Sequence, residues 1–211
     1  MRLDHVSYVA SHDQISDVVN RIGSQIGTTF IDGGIHPKFG TRNFIAPLLN
    51  EQYIEVVCPL DHPATEKTPF GKAVKKKSEE GGGWMAWVIA TDDISLIEGS
   101  LGRKAVDGQR KKPNGSLLHW KQVGVLDTLD DSSQPFYIEW ISKEHPSKDG
   151  KSSAKLIDII IEVEQTTNFR HLIDFNNLFI SPSIKFIKPE SNFVGIKEIR
   201  FDYNNKEVII N

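Results

Sequence analysis

A chain of 211 residues is long enough to bury a substantial core, either as one large domain or as two small modules sharing an interface. A formal net charge of −3, with 25% charged and 38% apolar residues, supplies no overall basic field and excludes nucleic acid as an expected partner. No apolar run approaches the roughly 20 residues of a membrane helix, and the single cysteine, Cys58, rules out an internal disulfide or a cysteine-based zinc cluster, so a cytoplasmic protein with no membrane partner is expected.

The first predicted element is a strand over residues 2–10. Asp13 offers an N-cap for a helix near 14–23, where Ile15, Val18, Val19 and Ile22 recur at helical spacing. Thr28 to Asp32 reads as a strand, Gly33-Gly34 as a turn, and Asn43 to Leu48 and Gln52 to Pro59 as two further strands. A joint over 61–83, punctuated by Pro63 and Pro69, holds a short helix that ends at Gly81-Gly82-Gly83. The order then repeats, with a strand from Trp84, a helix near 93–101, a strand near 104–110, a Pro113-Asn114-Gly115 turn, and strands near 116–125 and 135–142. A polar stretch from Ser142 to Ala154 reads as a linker. Beyond it lie a strand from Leu156 to Val163, a helix near 166–175, and strands from Lys197 to Tyr203 and Glu207 to Ile210 around an Asn204-Asn205 hairpin turn.

The repetition extends to residues. Tyr53-Ile54-Glu55 returns as Tyr137-Ile138-Glu139 at an offset of 84, which marks a duplicated module. The fold class is α+β: two βαβββ modules, 1–60 and 84–142, in a domain over 1–142, followed by a C-terminal α/β extension over 155–211 that is either a partial third module or a cap.

In each copy the Tyr and Glu lie two apart, so they share one face of their strand. If the sheet is cupped, His5, Glu55 and Glu139 converge, and one imidazole with two carboxylates suits a divalent ion with open positions for substrate. The alternative is that the acids are hydrogen-bonded inside a polar cavity and His5 donates to a neighbour. The segment from Gly33 to Asn43 is rich in glycine and polar residues and brings His36, Thr41 and Asn43 to a cavity mouth; its counterpart from Gly108 to Ser116 carries Arg110, which can grip a carboxylate or phosphate. Both segments also read as solvated surface hairpins. His119 is a base or binding group, and Trp120, Trp84, Trp87 and Trp140 offer apolar walls or ordinary core. His12, His62, His145 and His171 have no motif around them and read as surface or structural residues. Cys58 ends an apolar strand with no local cation, which suits inert burial.

Leu3-Asp4-His5-Val6, Gly34-x-His36…Gly40-Thr41-x-Asn43, Tyr53-Ile54-Glu55, Arg110-x-x-Pro113-x-Gly115…Trp120 and Tyr137-Ile138-Glu139 together resemble the glyoxalase-like branch of the vicinal oxygen chelate superfamily. Its relatives include glyoxalase I, extradiol dioxygenases, epimerases, and fosfomycin or bleomycin resistance proteins. The resemblance implies a cupped mixed sheet around a small-molecule cavity, one divalent metal ion on His5, Glu55 and Glu139, catalytic roles for Glu139, Glu55 and His119, and substrate contacts from His36, Thr41, Asn43, Arg110 and Trp120. It also implies a homodimer, because superfamily members pair modules between chains. Trp84 to Trp87 stand where metal-dependent members carry a second histidine, so glyoxalase I activity itself is not expected. The expected function is binding of a polar organic molecule with adjacent oxygens, as a lyase, isomerase or oxygenase. The alternative is a resistance-type protein that sequesters a small molecule without chemistry.

Overall fold

The computed structural model describes residues 1–164, 183–190 and 194–211. The strand β1 (Arg2–Val9) is buried along all but its first residue because it has a neighbour on each side. It runs parallel to β4 (Tyr53–Pro59) and antiparallel to β5 (Gly83–Ala90). Between β1 and β4 lie α1 (Ile15–Ile26), β2 (Ile31–His36) and β3 (Thr41–Pro47). The helices α2 (Pro63–Lys67) and α3 (Pro69–Glu79) form the joint, and α4 (Ser95–Leu101), β6 (Val106–Lys111), β7 (Leu117–Val123), α5 (Val125–Asp130) and β8 (Phe136–Trp140) follow β5.

The eight strands close in the order β1-β4-β3-β2-β6-β7-β8-β5, so the two βαβββ units form one curved mixed sheet that becomes a barrel within a single chain. The two seams between the units differ. At one, β1 and β5 pair along their length; at the other, β2 and β6 meet at the single register pair Ile35 and Lys111. Gly34 permits that second contact, because its φ is +107° and a Cβ there would lie 1.9 Å from the Lys111 carbonyl oxygen. Gly33 and Gly34 therefore belong to β2 and not to a turn; the chain reverses at residues 37–40.

Smaller departures from the sequence reading have local causes. Gln14, without a side-chain bond, precedes α1, while the Asp13 carboxylate accepts from the Ser11 hydroxyl. The joint holds two helices because Thr68 ends α2 and caps α3, accepting from the Gly71 backbone N–H. The predicted strand near 116–125 stops at Val123, where Gly124 at φ +91° turns the chain into α5.

The C-terminal strands β9 (Lys155–Glu162), β10 (Ser183–Ile187), β11 (Gly195–Tyr203) and β12 (Lys206–Ile210) form a second sheet in the order β10-β9-β11-β12. Asn204 and Asn205 sit at φ +53° and +60°, the left-handed pair that a two-residue hairpin turn requires. The helix predicted near 166–175 lies outside the described residues. Leu156, Ile159, Ile161 and Phe201 share one apolar cluster with Ile22, Ile26, Trp84 and Trp87 on the outside of the barrel. Trp84 Nε1 donates to the Ile210 carbonyl at 2.9 Å, which fixes the end of β12 to β5. No helix among the described residues is long and apolar enough to cross a membrane.

Candidate functional site

Strand alternation along β4 sends Ile54 outward into the apolar cluster and turns Tyr53 and Glu55 inward. They face a small cavity of about 40 Å³ inside the barrel. Its polar side is made by His5, His36, Asn43, Glu55 and Arg110, and its apolar side by Phe39, Phe70, Trp120, Phe136, Ile138 and Trp140.

Glu55 is buried and both its oxygens are engaged. Ser7 Oγ donates to Oε2 at 2.8 Å, and Asn43 Nδ2 donates to Oε1 at 2.6 Å. Burial raises the carboxyl pKa, but the facing His36 and His5 imidazoles and these two hydrogen bonds outweigh it, and the pKa is lowered on balance. The His36 pKa is pushed down to about 4, first by burial and then by Arg110 and His5, against the opposing pull of Glu55. Thr41 stands behind His36, with Oγ1 3.0 Å from Nδ1.

Arg110 is 3% exposed. Its Nη1 reaches Asn43 Oδ1 only at 3.5 Å, and Nε and Nη2 have no hydrogen-bond partner. No carboxylate pairs with it among the described residues. The space it fills exists because residue 33 is glycine: a Cβ there would meet Asn43 Oδ1 at 2.2 Å and Arg110 Nη1 at 2.9 Å.

A register shift in the β1–β5 ladder between Leu3 and His5 breaks the alternation of β1 at Asp4. Asp4 is fully buried, and its carboxylate meets His5 Nδ1 at 2.9 Å, His145 Nε2 at 3.0 Å, Trp140 Nε1 at 3.3 Å and Arg2 Nη1 at 3.0 Å. Burial alone raises its pKa, but the bonds from His145 and His5 and their charges hold it well below the usual carboxylate range. The His5 ring stacks on Tyr53 with centroids 4.4 Å apart, and its Nε2 lies 4.0 Å from Glu55 Oε2.

The structure thus brings together His5, His36, Asn43, Glu55, Arg110 and Trp120 among the residues singled out from sequence. It does not bring Glu139 or His119 to them. Glu139 is on the outer face of β8, where Oε2 accepts from the Ile94 backbone N–H at the start of α4. The cavity-facing residues of β8 are Phe136, Ile138 and Trp140. His119 is exposed because Leu117, His119 and Lys121 alternate outward while Leu118, Trp120 and Gln122 are buried. Trp84 and Trp87 pack in the outer cluster, and only Trp120 and Trp140 of the four tryptophans line the cavity. Asp4 and His145 were not identified as site residues from sequence. A signal for Asp4 existed, since an acid beside a histidine in an otherwise apolar strand has no solvent to face.

A divalent ion on His5, Glu55 and Glu139 does not fit this arrangement. Glu139 is outside, both Glu55 oxygens already accept hydrogen bonds, and a buried guanidinium stands in the same cavity. Val88, the β5 residue opposite His5, offers no donor. Among the described residues no three histidine, cysteine or acidic side chains are grouped to hold a metal ion.

No curated protein matches the chain. A hypothetical protein from Staphylococcus aureus is similar over 99% of this chain and 84% of its own, at 18% identity and a TM-score of 0.59, which shows a shared fold. Methylmalonyl-CoA epimerase from Mycobacterium tuberculosis matches 66% of this chain and 86% of its own, at 15% identity and a TM-score of 0.44. A glyoxalase-like domain model matches residues 3–174. With that match over most of its length, the chain belongs to the glyoxalase-like family of the vicinal oxygen chelate superfamily.

Proposed function

We propose that the protein binds a small organic anion with an apolar body inside the barrel, its carboxylate or phosphate on Arg110 and its body against Trp120 and Phe136. The unpartnered guanidinium carries this reading. A buried cation whose Nε and Nη2 donate to nothing is stabilised by an incoming anion that accepts from both in bidentate fashion. His5, Glu55, His36 and Asn43 then face the ligand, and an isomerase or lyase that moves a proton is the enzyme class they suit. The family resemblance supports pairing of two chains, although one chain closes the barrel by itself. The single buried Cys58 suits a reducing, cytoplasmic setting.

The test is calorimetric titration with benzoate, phenylacetate and phenyl phosphate, and with benzyl alcohol as the neutral control. Saturable binding of an anion that Arg110→Met weakens about 10- to 100-fold supports the reading. Equal binding of benzyl alcohol, or anion binding unchanged in Arg110→Met, sinks it. Sequestration without chemistry remains the second reading, favoured by the engagement of both Glu55 oxygens, and it predicts a tightly bound anion recovered unaltered.

A further inference from the structure

Resting on the reading of the cavity as a small-molecule site, we infer that Asp4 makes His5 a metal-independent proton acceptor toward the ligand, by holding its Nδ1–H and leaving the Nε2 lone pair in the cavity.

An ionised carboxylate only accepts hydrogen bonds. Arg2 Nη1 and Trp140 Nε1, which can only donate, both meet the Asp4 carboxylate, so it accepts at the 2.9 Å contact with His5 as well and the proton there is on Nδ1. In its neutral form the imidazole then carries its lone pair on Nε2, the atom that faces Glu55 across 4.0 Å. Two further rings hold the imidazole in place: it stacks on Tyr53 at an interplanar angle of 16°, and the Phe136 ring stands edge-on to it with centroids 6.1 Å apart. The carboxylate is itself immobile, because Arg2, Trp140 and His145 approach it from the start of β1, the end of β8 and the segment beyond. Strict strand alternation would point Asp4 and His5 to opposite faces. The bulge at Asp4 is what allows neighbouring residues to bond while His5 stays on the cavity side.

The competing bases are weaker candidates on geometry. Glu55 accepts from Ser7 and Asn43 on its two oxygens, and His36 shares its surroundings with the Arg110 charge. In the reaction this supports, an acidic C–H or O–H bond of the ligand breaks, its proton moves to His5 Nε2 and its electron pair stays on the ligand as an enolate or alkoxide. The imidazolium is stabilised through Nδ1–H by the Asp4 carboxylate, and the new ligand charge lies in the cavity that holds Arg110. Asp4 is here a positioning residue, in the sense that it sets the tautomer and orientation of the group that meets the ligand.

The first experiment is nitrogen NMR of the imidazole groups in the full chain labelled at histidine. A protonated Nδ1 and a bare Nε2 at His5 are expected, with both signals unshifted by added zinc or nickel. A protonated Nε2 with a bare Nδ1, averaging between tautomers, or a metal-induced shift at His5 overturns the inference without any variant having to fold. The second experiment is alkylation by bromoacetate, in which a bond forms from Nε2 to the methylene carbon and bromide leaves. His5 labelling should saturate with bromoacetate, and Asp4→Asn should slow the saturated rate at least tenfold. Arg110→Met should remove saturation while labelling by neutral iodoacetamide persists. His5 left unlabelled by both reagents in the wild type overturns the inference. Labelling by iodoacetamide with no advantage for bromoacetate leaves the dyad standing and overturns the anion reading instead.

Discussion

Glu55 and Ile138 hold the same place in the two halves of the barrel. Glu55 pairs with Ser7 across the β4–β1 ladder, and Ile138 pairs with Ala90 across the β8–β5 ladder. Both side chains point into the cavity. His5 and Val88, and Tyr53 and Phe136, are related in the same way. At these equivalent places one half supplies His5, Tyr53 and Glu55 and the other supplies Val88, Phe136 and Ile138.

Arg110→Met should make the free protein more stable. Removing a buried guanidinium with unmet donors relieves a cost of about 1–3 kcal/mol, so the urea midpoint should rise while affinity for benzoate falls about 10- to 100-fold. A lower midpoint would show that the cation is already compensated inside the protein.

Stability should fall between pH 6.5 and 4 because of His36. The unfolded imidazole takes up a proton near 6.5, whereas the folded one does so only near 4. In that window the unfolded state binds more protons, so stability rises with pH and is lost as pH falls, by up to about 3 kcal/mol. Glu55 and Asp4, with lowered pKa values, add losses in the same direction at more acid pH. Chemical denaturation of His36→Gln against the wild type across this range should show a flatter profile for the variant, and parallel profiles would exclude His36 as the cause.

Gly34→Ala should destabilise the barrel severely. The added methyl meets backbone at Lys111, not a movable side chain, and the φ of +107° adds strain. A loss of at least about 3 kcal/mol, or failure to fold, is expected. Near wild-type melting would mean that the β2–β6 seam opens at little cost.

Phe201→Ala reports on the C-terminal sheet. Phe201 is fully buried in the cluster that contains Ile22, Ile26 and Trp87, so its truncation should cost about 3–5 kcal/mol. The loss should appear in one cooperative transition with near-ultraviolet signals from Trp84 and Trp87. Two separated transitions would show that the C-terminal sheet unfolds independently of the barrel.

The duplicated βαβββ order was legible because strand and helix periodicities are local. The register was not. Sequence similarity aligns Tyr53 and Glu55 with Tyr137 and Glu139, whereas the ladder aligns them with Phe136 and Ile138. A slip of one residue exchanges the faces of a strand, which is why Glu139 caps α4 instead of reaching the cavity. His36, Asn43 and Arg110 were found because glycine-rich segments beside polar residues mark close backbone approaches, and that cue does not depend on register. The partnership of Asp4 with His5 depends on a bulge, and a bulge is decided by pairing between strands distant in the chain.

The unequal halves have a stereochemical consequence. A barrel with exact twofold symmetry would accept a ligand in either of two orientations, but here His5, Tyr53 and Glu55 stand at places where the other half has Val88, Phe136 and Ile138. A ligand anchored by its anion cannot turn over without burying charge against Trp120 and Phe136. If the proposed anchoring on Arg110 holds, a bound ligand presents one face to His5, and the two enantiomers of a chiral ligand should bind or react unequally.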